Sequence, residues 1–451
     1  MKTSLITLRN KLNAKNLADI YRKLSYKKYF VFTQECEVSE QDLRKNKNVT
    51  VINCNRGQIP QEINRIFEDN KKDLILPYFR GVDADSKYAI KVYNKSFGLK
   101  INSSNFRIKS KMNSFLGNEI VRKKSFKFSH DEIIALSYQE LSKKVGESFI
   151  LKPTNAAASL LNFKISTEEG FQNAKKKLKK KYKYLIEEYL TGNLYSIDFF
   201  CNGQDIFLLC FVREIPFLEM LEKLSSKYLE KYHLPITTDF LHFFPISYSL
   251  DLSKISNLEL DFIKTVGRKL IESNYHGFIH LEYKVNKKEK KIGFIEWGAR
   301  MGGKRDYFLQ KMHNVRAENI PLKILAKEDL SQFKKKKGIY FLRNRDIDKN
   351  MIFIKTNVIK KTHIMRILEK IPNFLNISFE RFLKEYFWDN WKIRIDEINF
   401  NLSTSPEGYL HPFYDRSDAK LTYTLRMKEE SFIKFLKKKF SILEKLVFHD
   451  Y

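Results

Sequence analysis

Two glutamates stand in runs of otherwise core-type residues: Glu282 in Gly277-Phe-Ile-His-Leu-Glu-Tyr-Lys-Val285, and Glu296 in Ile292-Gly-Phe-Ile-Glu-Trp-Gly-Ala-Arg300. The polar segment Asn-Lys-Lys-Glu-Lys-Lys joins the runs, so together they read as a β-hairpin. Opposed residues of an antiparallel pair keep a constant sum of residue numbers. An odd-length loop centred on Glu289 therefore sets Glu282 across from Glu296. With Cβ atoms about 5 Å apart on one face, the carboxylates repel and raise each other's pKa unless a cation lies between them. A hard divalent cation, Mg²⁺ or Mn²⁺, resolves that conflict, and Mg²⁺ takes a few carboxylates plus phosphate oxygens. An even-length loop would instead put them on opposite faces and leave two exposed strand residues among lysines.

Arg300 follows four residues after Glu296, with Met301-Gly302-Gly303 behind it. A guanidinium there suits transferring phosphoryl charge or a substrate carboxylate, and the small residues allow a close backbone approach to a ligand. Upstream, Phe149-Ile-Leu-Lys-Pro-Thr-Asn-Ala-Ala-Ala-Ser159 puts Lys152 in an apolar strand just before a loop of small residues. A buried lysine needs an anionic partner, and the loop has the character of a phosphate-covering flap. Leu185-Ile-Glu-Glu-Tyr-Leu-Thr-Gly-Asn193 is a strand with two acids ending in a turn, where backbone groups could read an adenine edge. Arg213 is a candidate carboxylate clamp. His280 shares the face of Glu282 and reads as a satisfied structural histidine, whereas Trp297 points to the other face, into the core.

The elements that must carry these residues fall into three parts. Short β-rich runs at Tyr29–Thr33, Val49–Ile52 and Leu74–Leu76 alternate with helical stretches at Gln61–Asn70 and Ala89–Phe97, the pattern of a parallel sheet. That domain spans 1–105. From Glu147 the texture becomes α+β with hairpin signals, including the Asn202-Gly203 turn, and helices near Phe171–Lys181 and Glu259–Asn274. The Lys-rich Phe333–Gly338 marks a boundary near 335, closing a second domain at 106–335 with a subdomain at 125–190. The third, 336–451, is α+β, with a helix over Met365–Ile371, strands at Trp391–Asn399 and Leu421–Met427, and an amphipathic helix from Glu429.

With 43% hydrophobic residues, 37 Phe and 23 Tyr, the chain can bury a core, which excludes disorder. The four cysteines lack ligand or disulfide spacing, so a reducing cytoplasm is the expected compartment. No apolar run approaches the ~18 residues needed to cross a bilayer, and the short Leu-Ile-Thr-Leu patch near Met1 is no signal peptide. The formal charge of +30 tempts one toward nucleic acid, but the lysines are scattered and interleaved with apolar residues at helical spacing, as solvated helix faces.

Taken in order, these pieces resemble the ATP-grasp superfamily of carboxylate-amine ligases, which includes biotin carboxylase, carbamoyl-phosphate synthase and L-amino acid ligases. The matching residues are Arg107-Ile-Lys-Ser-Lys111, Ile150-Leu-Lys-Pro153, Ile186-Glu-Glu-Tyr-Leu190, His280-Leu-Glu-Tyr283 and Ile295-Glu-Trp-Gly-Ala-Arg300, and the resemblance covers residues 25 to 335. It implies an ATP-grasp fold: a parallel-sheet pre-ATP-grasp domain, central ATP-grasp subdomains with a lid, and an α+β C-terminal domain. The tail, with Asp415-Arg-Ser-Asp, is loosely similar to the closing strand and helix of amino-acid ligases. The resemblance further implies ATP and Mg²⁺ (or Mn²⁺) as cofactors, with Lys109 and Lys152 on the α- and β-phosphates and Ser159 in the flap. Glu187 would meet the adenine amino group, the Glu188 and Leu190 backbones its edge, Glu282 and Glu296 the metal, and Arg300 the transferred phosphoryl. A small carboxylate and an amine are then the substrates, and helices of the first domain could pair two copies. The chain departs from the pattern at Gly298, usually Asn, at Ala299, usually Pro, at the alanines of the flap, and at Leu194, where a ribose-binding acid often stands. These departures support a second reading, a nucleotide-binding sensor or scaffold without ligation.

Overall fold

A computed structural model of the chain describes residues 3–8, 11–12, 26, 28–33, 35–36, 48–79, 86–155, 161–215, 246–303, 305–325, 330–344, 351–360, 394–402 and 419–428. The helices expected at Met365–Ile371 and from Glu429, the Asp415 segment and Ser159 lie outside these residues. No helix among the described residues is long and apolar enough to cross a membrane.

The chain opens with β1 (Thr3–Leu8), the two-residue β2 (Lys11–Leu12), β3 (Lys28–Thr33), β4 (Glu35–Cys36), β5 (Val49–Asn53), helix α1 (Ile59–Asp69), β6 (Leu74–Tyr78) and helix α2 (Ser86–Phe97). Strands β5-β3-β1-β6 form one parallel sheet, and β2 pairs with β4. As expected of a parallel strand covered on both faces, β6 is buried at all five positions. One of the sheet's two interior strands, β1, escaped the sequence reading. Its run Thr-Ser-Leu-Ile-Thr-Leu breaks the apolar pattern at Ser4 and Thr7, whose hydroxyls are buried with no hydrogen-bond partner among the described residues.

Helices α3 (Lys109–Leu116) and α4 (Asn118–Val121) lead into a second layer built from β7 (Ser125–Phe128), α5 (His130–Ala135), α6 (Tyr138–Val145), β8 (Phe149–Pro153), β9 (Phe163–Ile165), α7 (Glu168–Lys177) and β10 (Tyr184–Glu188). Its strands form an antiparallel sheet in the order β7-β10-β8-β9. One face puts Phe149, Leu151, Phe163, Tyr184 and Ile186 into a core with Ile133 and Phe171. Residues two apart share a face, so Ile150, Lys152, Leu185, Glu187 and Ser125 line the other, polar one. Capping boxes at Ser129/Glu132 and Ser137/Glu140 start α5 and α6. Helix α7 ends at Lys177, one turn before the expected Lys181, because Leu178 turns extended.

The rest comprises β11 (Asn193–Asn202), β12 (Ile206–Ile215), β13 (Ile246–Leu250), α8 (Asn257–Glu272), β14 (His276–Asn286), β15 (Lys291–Gly298), α9 (Arg305–His313), α10 (Ile320–Leu325), β16 (Phe333–Lys336), β17 (Ile339–Leu342), β18 (Met351–Lys360), β19 (Arg394–Leu402) and β20 (Ala419–Lys428). They form one ten-stranded sheet, ordered β15-β14-β11-β12-β13-β18-β20-β19, with β17 on β12 and β16 on β17. The Lys-rich segment read as a boundary is thus a hairpin strand, and strands beyond it hydrogen-bond into the same sheet. Phe333 is buried there, while Lys334, Lys335 and Lys336 stay exposed, the usual protection of an edge strand.

His313, ending α9, is buried, with Nδ1 3.0 Å from the Arg343 carbonyl oxygen. Burial pushes its pKa down to about 4, against the pull of that carbonyl and of Asp251. The unfolded chain, near 6.5 at this histidine, binds the extra proton first. Stability should therefore fall as pH drops from about 6.5 toward 4, by at most ~1.4 kcal/mol per pH unit from this group. A Tm-versus-pH profile of His313→Gln should be flatter than wild type across that window; parallel profiles would contradict this.

Candidate functional site

Glu282 lies directly across from Glu296, as do His280 from Gly298 and Leu281 from Trp297. The route to that pairing differs from the one expected. From Tyr283 outward the partners are Phe294, Gly293, Ile292 and Lys291, so the loop Lys287–Lys290 has an even length and on its own would put the two acids on opposite faces. A bulge between Glu282 and Tyr283 leaves Ile295 as the extra residue of β15 and returns Glu296 to the face of Glu282. Trp297 points the other way, as expected: it is 1% exposed, stacks on Phe106 at 5.0 Å and donates its Nε1–H to the Asn105 carbonyl at 2.9 Å. That contact fixes the segment from which α3 and Lys109 follow.

Each carboxylate has its own cation from within the chain. Lys109 Nζ is 3.0 Å from Glu296 Oε2. His280 Nε2 is 3.0 Å from Glu282 Oε1. Burial raises Glu296, but Lys109, Lys152 and Arg300 outweigh it and bring it down to about 2. Glu282 moves the other way, raised by burial and by Glu296 despite the bond to His280. Of the pair expected to raise each other, only Glu282 is raised; Glu296 is lowered by the cations around it. The Glu282 and Glu296 side chains are 25% and 24% exposed.

The polar face of the β7–β10 sheet adjoins the hairpin, with Lys152 acting on Glu296. Lys152 Nζ is 2.5 Å and Lys123 Nζ 3.0 Å from Glu187 Oε2, all three groups almost fully buried. Glu187 Oε1 accepts from Asn113 Nδ2 at 2.9 Å and from Ser125 Oγ at 3.4 Å. The anionic partner demanded by a buried Lys152 is thus Glu187, so in this state the Glu187 carboxylate faces lysines. Burial would raise Glu187, yet the two ammonium groups hold it well below the usual carboxylate range. Burial pushes Lys123 down to about 8, even with Glu187 beside it. Lys123 also reaches the Ile295 carbonyl at 3.5 Å, linking this sheet to the bulge.

A buried network behind Glu282 was not foreseen. His280 Nδ1 is 3.2 Å from Asp198 Oδ1, and Asp198 Oδ2 accepts from Arg305 Nε at 2.8 Å. Arg305 Nη2 donates to Glu214 Oε1 at 2.7 Å and to Ser196, while the Gly302 N–H donates to Asp198 at 2.6 Å. Burial opposes both shifts, but Asp198 brings His280 up to about 9, and His280 with Arg305 brings Asp198 down to about 2. The close approach expected of Gly302 is to His280 itself: a Cβ there would fall 2.5 Å from His280 Nδ1. Gly303 has open space instead. Arg300 is half-buried, its Nη1 donating to the Met301 carbonyl at 3.0 Å.

Arg213, the candidate clamp, is buried and committed to its own strands. It donates to the Leu194 carbonyl at 2.6 Å, to Asn193 Oδ1 at 2.9 Å and to the Glu214 carbonyl. At the end of β10 the Glu188 N–H donates to the Lys124 carbonyl at 2.9 Å, and two residues on the Leu190 carbonyl accepts Lys284 Nζ at 2.8 Å. A carbonyl keeps a second lone pair, so Leu190 retains an acceptor site. Gly192, at φ +101°, has no room for a side chain: a Cβ would lie 2.4 Å from the Val285 carbonyl oxygen. Gly192→Ala should cost about 2 kcal/mol by combining strain with a backbone clash; an unchanged urea midpoint would contradict it.

Among the described residues no group of three or more His, Cys, Asp or Glu is disposed to hold a metal ion. Glu282 and Glu296 supply two hard oxygen ligands, a set that fits Mg²⁺ or Mn²⁺ only with phosphate or water oxygens completing the shell.

No family model and no curated protein matches the chain. Solved structures do. The crystal structure of L-amino acid ligase from Bacillus licheniformis matches at a TM-score of 0.55 over 97% of this chain and 97% of that one, with 12% identity. N5-carboxyaminoimidazole synthetase from Staphylococcus aureus, complexed with ADP, matches at 0.55 over 99% of each chain, with 13% identity. The biotin carboxylase domain of Hydrogenobacter thermophilus 2-oxoglutarate carboxylase, in complex with MgADP, ADP and bicarbonate, matches at 0.56 over 94% of this chain and 86% of that one, with 13% identity. The chain therefore has the ATP-grasp fold.

Proposed function

We propose that this ATP-grasp chain is an ADP-forming ligase, joining a carboxylate, an amino acid or related small acid, to an amine through an acyl phosphate. One observation carries the reading: Lys109, Lys152 and Arg300 all act on Glu296, which lies directly across from Glu282, and Lys123 stands beside Lys152 on Glu187. Positive charge gathered against two carboxylates is what a nucleoside triphosphate with its divalent cation requires.

In this reading phosphate oxygens replace Glu296 on Lys109 and Glu187 on Lys152, so both lysines exchange one anion for another. Glu187 is then available to the adenine amino group, and the backbones of Glu188 and Leu190 to the adenine edge. Ser159 would cover the phosphates. Glu282 and Glu296 would hold Mg²⁺ or Mn²⁺, which when bound neutralises phosphate charge. Arg300 stabilises the transferred group as an acid oxygen bonds to the γ-phosphorus and its bond to ADP breaks. The amine next attacks the acyl carbon, inorganic phosphate leaves, and the amine loses a proton. The chain's part is positioning and charge neutralisation. The division into 1–105, 106–335 with a lid at about 125–190, and 336–451 belongs to the same proposal, as do a cytoplasmic setting and pairing through helices of the first domain.

A second reading, nucleotide binding without ligation, draws on Gly298: it lies across from His280, on the face of Glu296, and offers no third ligand there. ADP release from Mg-ATP over a panel of amino acids, as acid and as amine, separates the two. Wild type should release ADP with at least one pair, and Glu296→Gln should slow it roughly a hundredfold. Undiminished release by the variant would refute the ligase assignment. Wild type that binds nucleotide yet releases nothing with any pair favours the second reading.

A further inference from the structure

Two adjacent cross-strand rows share one face of the ten-stranded sheet: Glu296, Glu282 and Ser196, and beside them Gly298, His280 and Asp198. Strand β14 supplies the middle residue of both rows, and residues two apart share a face, so His280 stands next to Glu282. Asp198, His280 and Arg305 are buried, whereas Glu282 keeps partial contact with solvent. Apolar residues of similar volume often serve stability as well as a buried charged array does, so this array asks for a reason beyond packing. Its connections supply one. Asp198 Oδ1 lies 3.2 Å from His280 Nδ1 and accepts the Gly302 N–H at 2.6 Å. Arg305 bonds Asp198 Oδ2 through Nε at 2.8 Å and the Gly303 carbonyl through Nη1 at 3.0 Å. One carboxylate thus ties the histidine to the loop that follows Arg300. Gly302 also packs against the ring, since a Cβ there would fall 2.5 Å from Nδ1. The other ring nitrogen, Nε2, lies 3.0 Å from Glu282 Oε1.

We propose that His280 is a positioning residue for the metal carboxylate Glu282: anchored by Asp198 to the loop behind Arg300, it donates from Nε2 to Oε1 and leaves Oε2 to the cation. The proposal rests on the nucleotide and metal reading above and adds to it a residue that touches neither. A carboxylate held at one oxygen presents the other in a fixed direction, and partners of this kind change metal affinity by about ten- to a hundredfold. Gly298, across from His280, brings no side chain to its row, so the imidazole alone supports the metal pair from that side.

Calorimetric titration of Mg²⁺ into the full chain saturated with ADP, beside urea unfolding of the metal-free chain, tests this. An asparagine amide overlays Nδ1 of the histidine it replaces, and a glutamine amide overlays Nε2; each carries N–H donors. His280→Asn keeps the bond to Asp198 and loses the one to Glu282. Mg²⁺ should then bind at least tenfold more weakly, with the urea midpoint near wild type. His280→Gln does the reverse: Mg²⁺ affinity should stay within about threefold of wild type while the midpoint falls. Mg²⁺ affinity that follows the midpoint in both variants would show a structural role alone and overturn the proposal, as would wild-type affinity in His280→Asn. Should His280→Asn fail to fold, Gly302→Ala, which crowds the ring, should weaken Mg²⁺ by a similar factor, and unchanged affinity would overturn the proposal. A wild type whose ADP binding ignores Mg²⁺ would overturn the metal reading itself, and the proposal with it.

Discussion

Glu187→Ala should lower stability by about 3 kcal/mol or more, the cost of leaving buried charge without its partner. Lys123 and Lys152 both end on this carboxylate, and its side chain is 3% exposed. Without Glu187, burial dominates Lys123 and takes its pKa below the present value of about 8, so part of the population sheds its proton near neutrality. Two observables follow: faster amide exchange in β7, β8 and β10, and a lower urea midpoint that recovers as pH rises and Lys123 is neutralised. Glu187→Gln keeps an acceptor for Asn113 and should fall between wild type and alanine. A change under ~0.5 kcal/mol for alanine would show that the two lysines find other partners.

Arg305→Met should cost a similar amount, about 3–5 kcal/mol, by the same physics. Asp198 is fully buried and depends on Arg305 and His280, while Glu214 loses its guanidinium. Because the charges compensate one another, Asp198→Asn with Arg305→Met should cost clearly less than the two single changes together. Additive losses would show that the pair is not coupled. The effect should also reach Glu282, since His280 joins it to Asp198.

Where the sequence was informative, the reason was incompatibility. A carboxylate between Leu281 and Tyr283, or a lysine between Leu151 and Pro153, sits badly in a core, so each demanded a partner, and the folded chain supplies one. The bulge at Ile295 left no such trace: counting loop residues gave the correct pairing through an incorrect register. Lys123 was hidden by Arg122 and Lys124, a charge triplet that looks like surface. Asp198 is a lone acid in the apolar run Ile197-Asp-Phe-Phe200; Arg305, about a hundred residues away, gave no hint that the two would meet. Strand β1 was obscured by Ser4 and Thr7, polar positions that an isolated run reads as surface and that only the finished sheet shows to be buried.

The central claim is that Glu282 and Glu296 face a nucleotide together with a divalent cation. Calorimetric titration of ADP, with and without Mg²⁺, on wild type and Glu296→Gln tests it most directly. The account predicts wild-type binding that tightens at least tenfold with Mg²⁺ and a Mg²⁺ effect largely lost in the variant. Binding that ignores Mg²⁺ in both proteins, or no binding at all, would contradict it.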